Sequence, residues 1–98
     1  MPDSSQQLLA LAGTIRKFRR DRELSQEALA AVAGINPKHL SEIERANKDP
    51  RASTVLRLAE ALGLTPTEFF NGYELRLRSS GPARAIGPVA SGGPRSRT

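Results

Sequence analysis

The chain has 98 residues, no cysteine and a formal net charge of +5. This length suits one small domain, and the lack of cysteine excludes a disulfide framework and a thiolate metal site. The charge does not by itself indicate a partner for the folded part, because residues 1–70 hold ten Lys and Arg against nine Asp and Glu, whereas residues 71–98 hold five Arg against one Glu.

The first predicted helix covers residues 8–20, where apolar residues recur at spacings of three and four and basic residues fill the positions between them. A second helix is predicted from residue 26 to about residue 33. Ser25 is a suitable N-cap for it, and Gly34 stands where a left-handed C-cap residue is needed. The apolar positions of the first helix are Leu8, Leu11, Ala12, Ile15 and Phe18.

Asn36 and Pro37 have the residue types of an N-cap and a first helical position, which predicts a third helix ending near residue 45. Its inner face would hold Leu40 and Ile43. The polar stretch 46–52 predicts a loop. The outer face of the third helix would carry Lys38, His39, Ser41, Glu42 and Arg45.

A fourth helix is predicted with Ser53 as its N-cap and Gly63 after its last turn. Residues 65–68, Thr-Pro-Thr-Glu, form a capping box that starts a short fifth helix carrying two phenylalanines. Residues 79–98 are predicted to be disordered, because they contain too few large apolar groups to offset the entropy of ordering. The apolar stripe of the fourth helix is Val55, Leu58, Ala59 and Leu62.

The stretch 26–45 meets the demands of a helix-turn-helix, in which two short helices cross steeply and meet at a small residue. Its sequence, with Leu-Ser-Gln-Glu-Ala-Leu-Ala at 24–30, Ala-Gly-Ile at 33–35 and Leu-Ser-Glu-Ile-Glu-Arg at 40–45, resembles the Cro and phage-repressor helix-turn-helix family. Asp-Pro at 49–50 and Leu-Gly-Leu at 62–64 also fit that pattern. The resemblance covers about residues 11–70.

This resemblance implies an all-α, five-helix, lambda-repressor-like DNA-binding bundle, which we place at residues 8–72. The composition of residues 73–98, rich in Gly, Pro, Ser and Arg, predicts a flexible basic tail. It further implies a transcriptional regulator, a repressor, that binds a palindromic operator in double-stranded DNA as a homodimer, with its third helix in the major groove. The residues that it places at DNA are Gln26, Asn36, Pro37, Lys38, His39, Ser41, Glu42, Arg45, Asn47 and Lys48.

Individual roles follow from the same resemblance. Gln26 matches the glutamine that clamps a phosphate at the start of the second helix. Lys38 is suited to donate to guanine and Glu42 to accept from a cytosine amino group, whereas Pro37 offers only an apolar contact, as to a thymine methyl group. Ala46 departs from the glycine usual in the family, so we expect Asn47 to take any left-handed conformation needed there.

Other positions have structural expectations. The resemblance implies a partly buried ion pair between Arg19 and Glu44 that ties the first helix to the third. The remaining basic residues of the first helix either form a solvated face or contact phosphate, and the sequence leaves both open. The dimer candidates are Leu64, Phe70, Tyr73 and Leu75.

Several functions are excluded or disfavoured. A lone histidine, His39, predicts no metal site, and the chain shows no nucleophile and base pair and no phosphate loop, so we expect neither an enzyme nor a cofactor. No apolar run reaches the roughly 20 residues of a membrane span, and residues 1–12 lack the features of a secretory signal, which predicts a cytoplasmic, nucleoid-associated protein without a membrane partner. The alternative function is a protein-interaction module, such as an antitoxin or a bridging factor.

Overall fold

The computed structural model describes residues 4–80, which form helices joined by short loops. The described residues contain no strand, so the predicted all-α bundle of five helices is confirmed. None of these helices combines the length and the apolar character that crossing a membrane requires. The helices are α1 (Ser4–Asp21), α2 (Gln26–Ala33), α3 (Pro37–Glu44), α4 (Ala52–Ala61) and α5 (Pro66–Ser80).

One hydrophobic core joins the helices. The most extensive contact between helices is that of α1 with α5, while α2 packs against both α3 and α4. The aliphatic stripes predicted for the helices supply most of this core, because their three- and four-residue spacing places them on one side of each helix. Its side chains are Ile15, Leu29, Ala30, Ala33, Leu40, Ile43, Val55, Leu58, Ala59, Leu62 and Phe69.

The predicted N-caps of α2, α3 and α5 are present. Ser25 Oγ accepts a hydrogen bond from the backbone N–H of Ala28 at 3.0 Å, and Asn36 Oδ1 accepts one from that of Lys38 at 2.8 Å. Thr65 and Glu68 form the reciprocal bonds of a capping box, at 2.9 and 3.1 Å. These bonds satisfy N–H groups that have no partner inside the helix.

Left-handed residues follow four of the helices. Gly34 and Gly63 were expected there, with φ of +74° and +76°, but Glu23 and Ala46 adopt the same conformation with φ of +56° and +61°. The prediction that Asn47 takes the left-handed conformation after α3 is therefore wrong. The backbone N–H groups of residues 46 and 47 bond to the carbonyls of residues 43 and 42, at 3.0 and 2.9 Å. This closing pattern requires the left-handed residue at position 46.

Two helix boundaries differ from the prediction. α4 begins at Ala52 with Arg51 as a cap that makes no side-chain bond, so Ser53 lies inside the first turn instead of capping it. The Arg51 carbonyl starts the helix by accepting from the N–H groups of residues 54 and 55. α5 is not short, because it continues to Ser80 across the expected domain boundary at 72–73. Residues 79 and 80, which were predicted to be disordered, are the last two residues of α5. The rest of the predicted disorder, at residues 81–98, lies outside the described residues.

Candidate nucleic-acid interface

The two sides of α3 have opposite character. Leu40 and Ile43 are fully buried and fix the inner side against the core. Residues spaced by three and four positions share one face of a helix, and the residues that share the opposite face of α3 are polar or charged. This face, called the outer stripe, consists of Lys38, Ser41, Glu42 and Arg45.

The outer stripe is free to bind a partner. Lys38 and Arg45 are exposed, and Glu42 is half-buried. Within residues 5–79 none of these three side chains takes part in a hydrogen bond or an ion pair. The predicted base-reading residues Lys38 and Glu42 therefore lie on a common face with unused donors and acceptors.

The C-terminal end of α3 is held by a buried carboxylate, that of Glu44, whose side chain is 1% exposed. Arg19 Nε donates to Glu44 Oε2 at 2.8 Å, and a second guanidinium N–H donates to Oε1 at 3.0 Å. The structure thus contains the ion pair expected between α1 and α3. Arg19 also donates to the carbonyl oxygen of Leu24 at 2.8 Å, which fixes the loop before α2.

Gln26 belongs to the same network. Its Nε2 donates to Glu44 Oε1 at 3.0 Å, so the amide at the start of α2 is held against the end of α3. A side-chain amide has two N–H donors and one carbonyl acceptor, and the bond to Glu44 uses only one donor. The remaining donor and the exposed end of α2 fit the expected phosphate clamp.

A second contact to α3, from Arg16, was not found from the sequence. Arg16 donates from its guanidinium to the backbone carbonyl oxygen of Glu44, one of the four at the end of α3 that lack a helical partner. No sequence pattern distinguishes it from its basic neighbours in α1. Arg16 and Arg19 together hold α3 in a fixed orientation against α1.

The other expected DNA-contacting residues surround the outer stripe. Asn36 and Pro37 are exposed at the start of α3, although the side-chain carbonyl of Asn36 is used for capping. His39 is half-buried beside the stripe. Asn47 and Lys48 are exposed in the loop after α3.

The four dimer candidates do not form one patch. Phe70 is 42% exposed and contacts Tyr73 edge to face, with ring centroids 6.1 Å apart. Burial raises the pKa of the Tyr73 phenol. Leu64 packs against the core. Leu75 is five residues after Phe70, about 140° further around α5, and lines a separate groove between α1 and α5.

Comparison with known proteins identifies the family. The family HTH_3, described as Helix-turn-helix, matches residues 15–69, which is more than half of the chain. The chain belongs to this helix-turn-helix family. The resemblance to the Cro and phage-repressor type is thereby confirmed over a region that runs from α1 into α5.

Relatives of this HTH_3 protein include named regulators. The uncharacterized HTH-type transcriptional regulator y4dJ of Sinorhizobium fredii is 36% identical over 52 residues, covering 53% of this chain and 68% of the relative. Other relatives are longer, and the chain spans 13% of the regulator RamB of Mycobacterium tuberculosis.

Solved structures of controller proteins share the fold. The restriction-modification controller protein C.AhdI from Aeromonas hydrophila matches with a TM-score of 0.62 and 32% identity, covering 64% of this chain and 96% of that one. The controller protein C.Esp1396I, solved as a tetramer with its natural 35 base-pair operator, matches with a TM-score of 0.71 and 21% identity, over 74% and 95% of the two chains. At that identity the second match shows the fold alone.

Proposed function

We propose that this HTH_3 protein is a sequence-specific, double-stranded DNA-binding transcriptional regulator that reads its operator with α3. The observation that carries the proposal is the outer stripe, whose charged side chains have no partner within residues 5–79 while the opposite side of the helix is fixed in the core. An α-helix with its side chains is about 10–12 Å in diameter, which fits the major groove of B-DNA, about 12 Å wide.

The N-terminal end of α2 would anchor the protein on the DNA backbone. Gln26 lies at the first position of α2, where backbone N–H groups and the helix dipole favour a phosphate. Its bond to Glu44 orients the amide before DNA arrives, so little conformational entropy remains to be lost on binding. Phosphate contacts position a protein on the duplex, while base contacts specify the sequence.

Replacement of Gln26 tests this anchoring. Gln26→Ala should weaken binding to all duplexes by about 1–2 kcal/mol, as the loss of a charge-assisted hydrogen bond would, and leave base preference unchanged. The measurement is a titration with labelled duplexes at fixed salt, below the unfolding temperature of both proteins.

Gln7→Ala is the matched control for that titration. Gln7 is exposed on α1, about 18 Å along the helix axis from Arg19 and its network at the end of α3. It should bind DNA as the unchanged chain does. Unchanged affinity of Gln26→Ala, or an equal loss in both variants, would contradict the proposed docking.

The proposal includes a homodimer on a palindrome. The exposed ring of Phe70, in contact with the half-buried Tyr73, supports a seam on α5, and C.Esp1396I is a related fold assembled on an operator. Two copies of α3 related by a two-fold axis would enter grooves about 34 Å apart.

The spacing of the half-sites tests this dimer. Inserting about five base pairs between half-sites should abolish cooperative binding, and unchanged binding after that insertion would contradict the dimer. Repression follows if the bound dimer excludes other proteins from a promoter.

A further inference from the structure

A polar cleft, separate from the groove that Leu75 lines, lies on α1 beside its contact with α5. It has a volume of about 290 Å³, and we call it the basic cleft. Four of its lining residues are cationic, and three of these come from two successive turns of α1. The basic cleft is lined by Gly13, Arg16, Lys17, Arg20, Asp21 and Arg76.

The basic cleft carries uncompensated positive charge. Lys17 Nζ pairs with Asp21, the one acid that lines the cleft, at 2.7 Å, so these two charges cancel. Three guanidinium groups remain. That of Arg16 donates to a backbone carbonyl, whereas Arg20 and Arg76 have no side-chain hydrogen bond or ion pair within residues 5–79.

Gly13 makes room for one of these guanidinium groups. A Cβ atom at residue 13 would lie 2.8 Å from both Cδ and Nη1 of Arg76, so the Arg76 side chain lies directly against the backbone of α1. Glycine inside a helix costs stability relative to alanine. Gly13 therefore lets the Arg76 guanidinium, which has no carboxylate partner within residues 5–79, lie in the same cleft as two further arginines.

We propose that the basic cleft binds a phosphate-bearing anion. Guanidinium groups suit this chemistry, because their fork of N–H donors bonds phosphate oxygens in pairs. The anion has two possible sources: a backbone phosphate of DNA outside the contacts of α3, or a free phosphorylated small molecule. The site is distinct from the outer stripe and extends the proposed function.

The first test uses sodium pyrophosphate as the probe. It is titrated into the full chain at constant ionic strength, and backbone amide shifts are followed by NMR. We expect saturable shifts at residues 13, 17 and 76. Arg76→Gln should weaken binding at least tenfold, and Gly13→Ala should do so as well, because its methyl group displaces the guanidinium while the helix gains stability.

Arg78→Gln is the control, since it removes the same charge from an exposed residue of α5 that pairs with Glu74 outside the cleft. It should bind pyrophosphate as the unchanged chain does. Lys38→Ala should also leave pyrophosphate binding intact, so failure of the DNA-reading proposal and failure of the basic cleft remain distinguishable.

The second test identifies the source. The affinity for a duplex is measured against salt concentration for the unchanged chain, Arg76→Gln and Arg78→Gln. If the anion is a DNA phosphate, Arg76→Gln alone should reduce the slope of log affinity against log salt by about 0.9. An unchanged slope with cleft-specific pyrophosphate binding indicates a small molecule. If neither test separates Arg76→Gln from Arg78→Gln, the proposal is wrong.

Discussion

At the scale of the residue, Glu44 is the most constrained side chain of the helix-turn-helix. Its carboxylate accepts two hydrogen bonds from Arg19 and one from Gln26, and it is almost wholly buried. Burying a carboxylate is costly unless such bonds satisfy it, so each donor offsets part of the cost of burying Glu44. The same group therefore links α1, the start of α2 and the end of α3.

Removing this charge should destabilise the fold. Glu44→Gln keeps the shape but leaves Arg19, whose side chain is 12% exposed, without its carboxylate. We expect a loss of about 3 kcal/mol in the free energy of unfolding, measured by urea titration. Glu74→Gln, which breaks the exposed pair with Arg78, should cost at most about 0.5 kcal/mol. Equal losses in the two variants would show that the buried ion pair stabilises the fold no more than the exposed one.

Ala46 is a residue whose backbone conformation the sequence does not reveal. An L-residue in the left-handed region costs about 1 kcal/mol, and Ala46 has φ of +61°. Ala46→Gly should therefore raise the free energy of unfolding by about 0.5–1 kcal/mol. Gly34→Ala, where a methyl group meets no atom within 4 Å, should lower it by about 1 kcal/mol. Thermal unfolding measures both, and a destabilised Ala46→Gly would contradict the assignment.

At the scale of the element, local signals predicted α2 and α3 well. Their caps and turns are determined within a few residues, as the bonds of Ser25 and Asn36 show. The length of α5 depends instead on contacts with α1, which a local pattern does not contain. Glycine ordinarily disfavours a helix, but position 72 of α5 has no room for a side chain, because the Phe18 ring lies 2.8 Å from where a Cβ would be.

The corrected start of α4 gives a paired test of capping. Thr65→Ala should cost about 1 kcal/mol in the free energy of unfolding, because it removes the bond to the backbone N–H of Glu68. Ser53→Ala should cost nothing, since Ser53 is exposed in the first turn and alanine is the better helix former. Urea unfolding of both variants measures the difference. A loss at Ser53 as large as that at Thr65 would restore the original prediction for α4.

At the scale of the whole molecule, the outer stripe was predictable and the association surface was not. The outer stripe follows from helical periodicity within α3. The separation of Leu75 from Phe70 follows from the continuation of α5, which places them on different faces. An exposed apolar residue carries no sequence mark that distinguishes a dimer seam from an isolated contact with solvent.

The dimer has a direct test at this surface. Phe70→Ser should raise the dissociation constant of the homodimer at least tenfold, because exposed aromatic residues at the centre of an interface commonly contribute about 1–2 kcal/mol or more. Leu75→Ser changes an apolar residue on the other face that is more exposed than Phe70, and it should leave association unchanged. Sedimentation equilibrium measures both, and the opposite order of effects would place the seam at the groove between α1 and α5.

The central claim is that α3 reads base edges, and base preference measures it most directly. Affinity is determined for a set of operator variants, one base pair changed at a time, with Lys38→Ala, Glu42→Gln and the control Arg78→Gln. Each α3 variant should relax the preference at one base-pair position by about 1–3 kcal/mol, while the control preserves every preference. If both α3 variants keep the full set of base preferences, the outer stripe does not read the operator and the claim that α3 reads base edges is wrong.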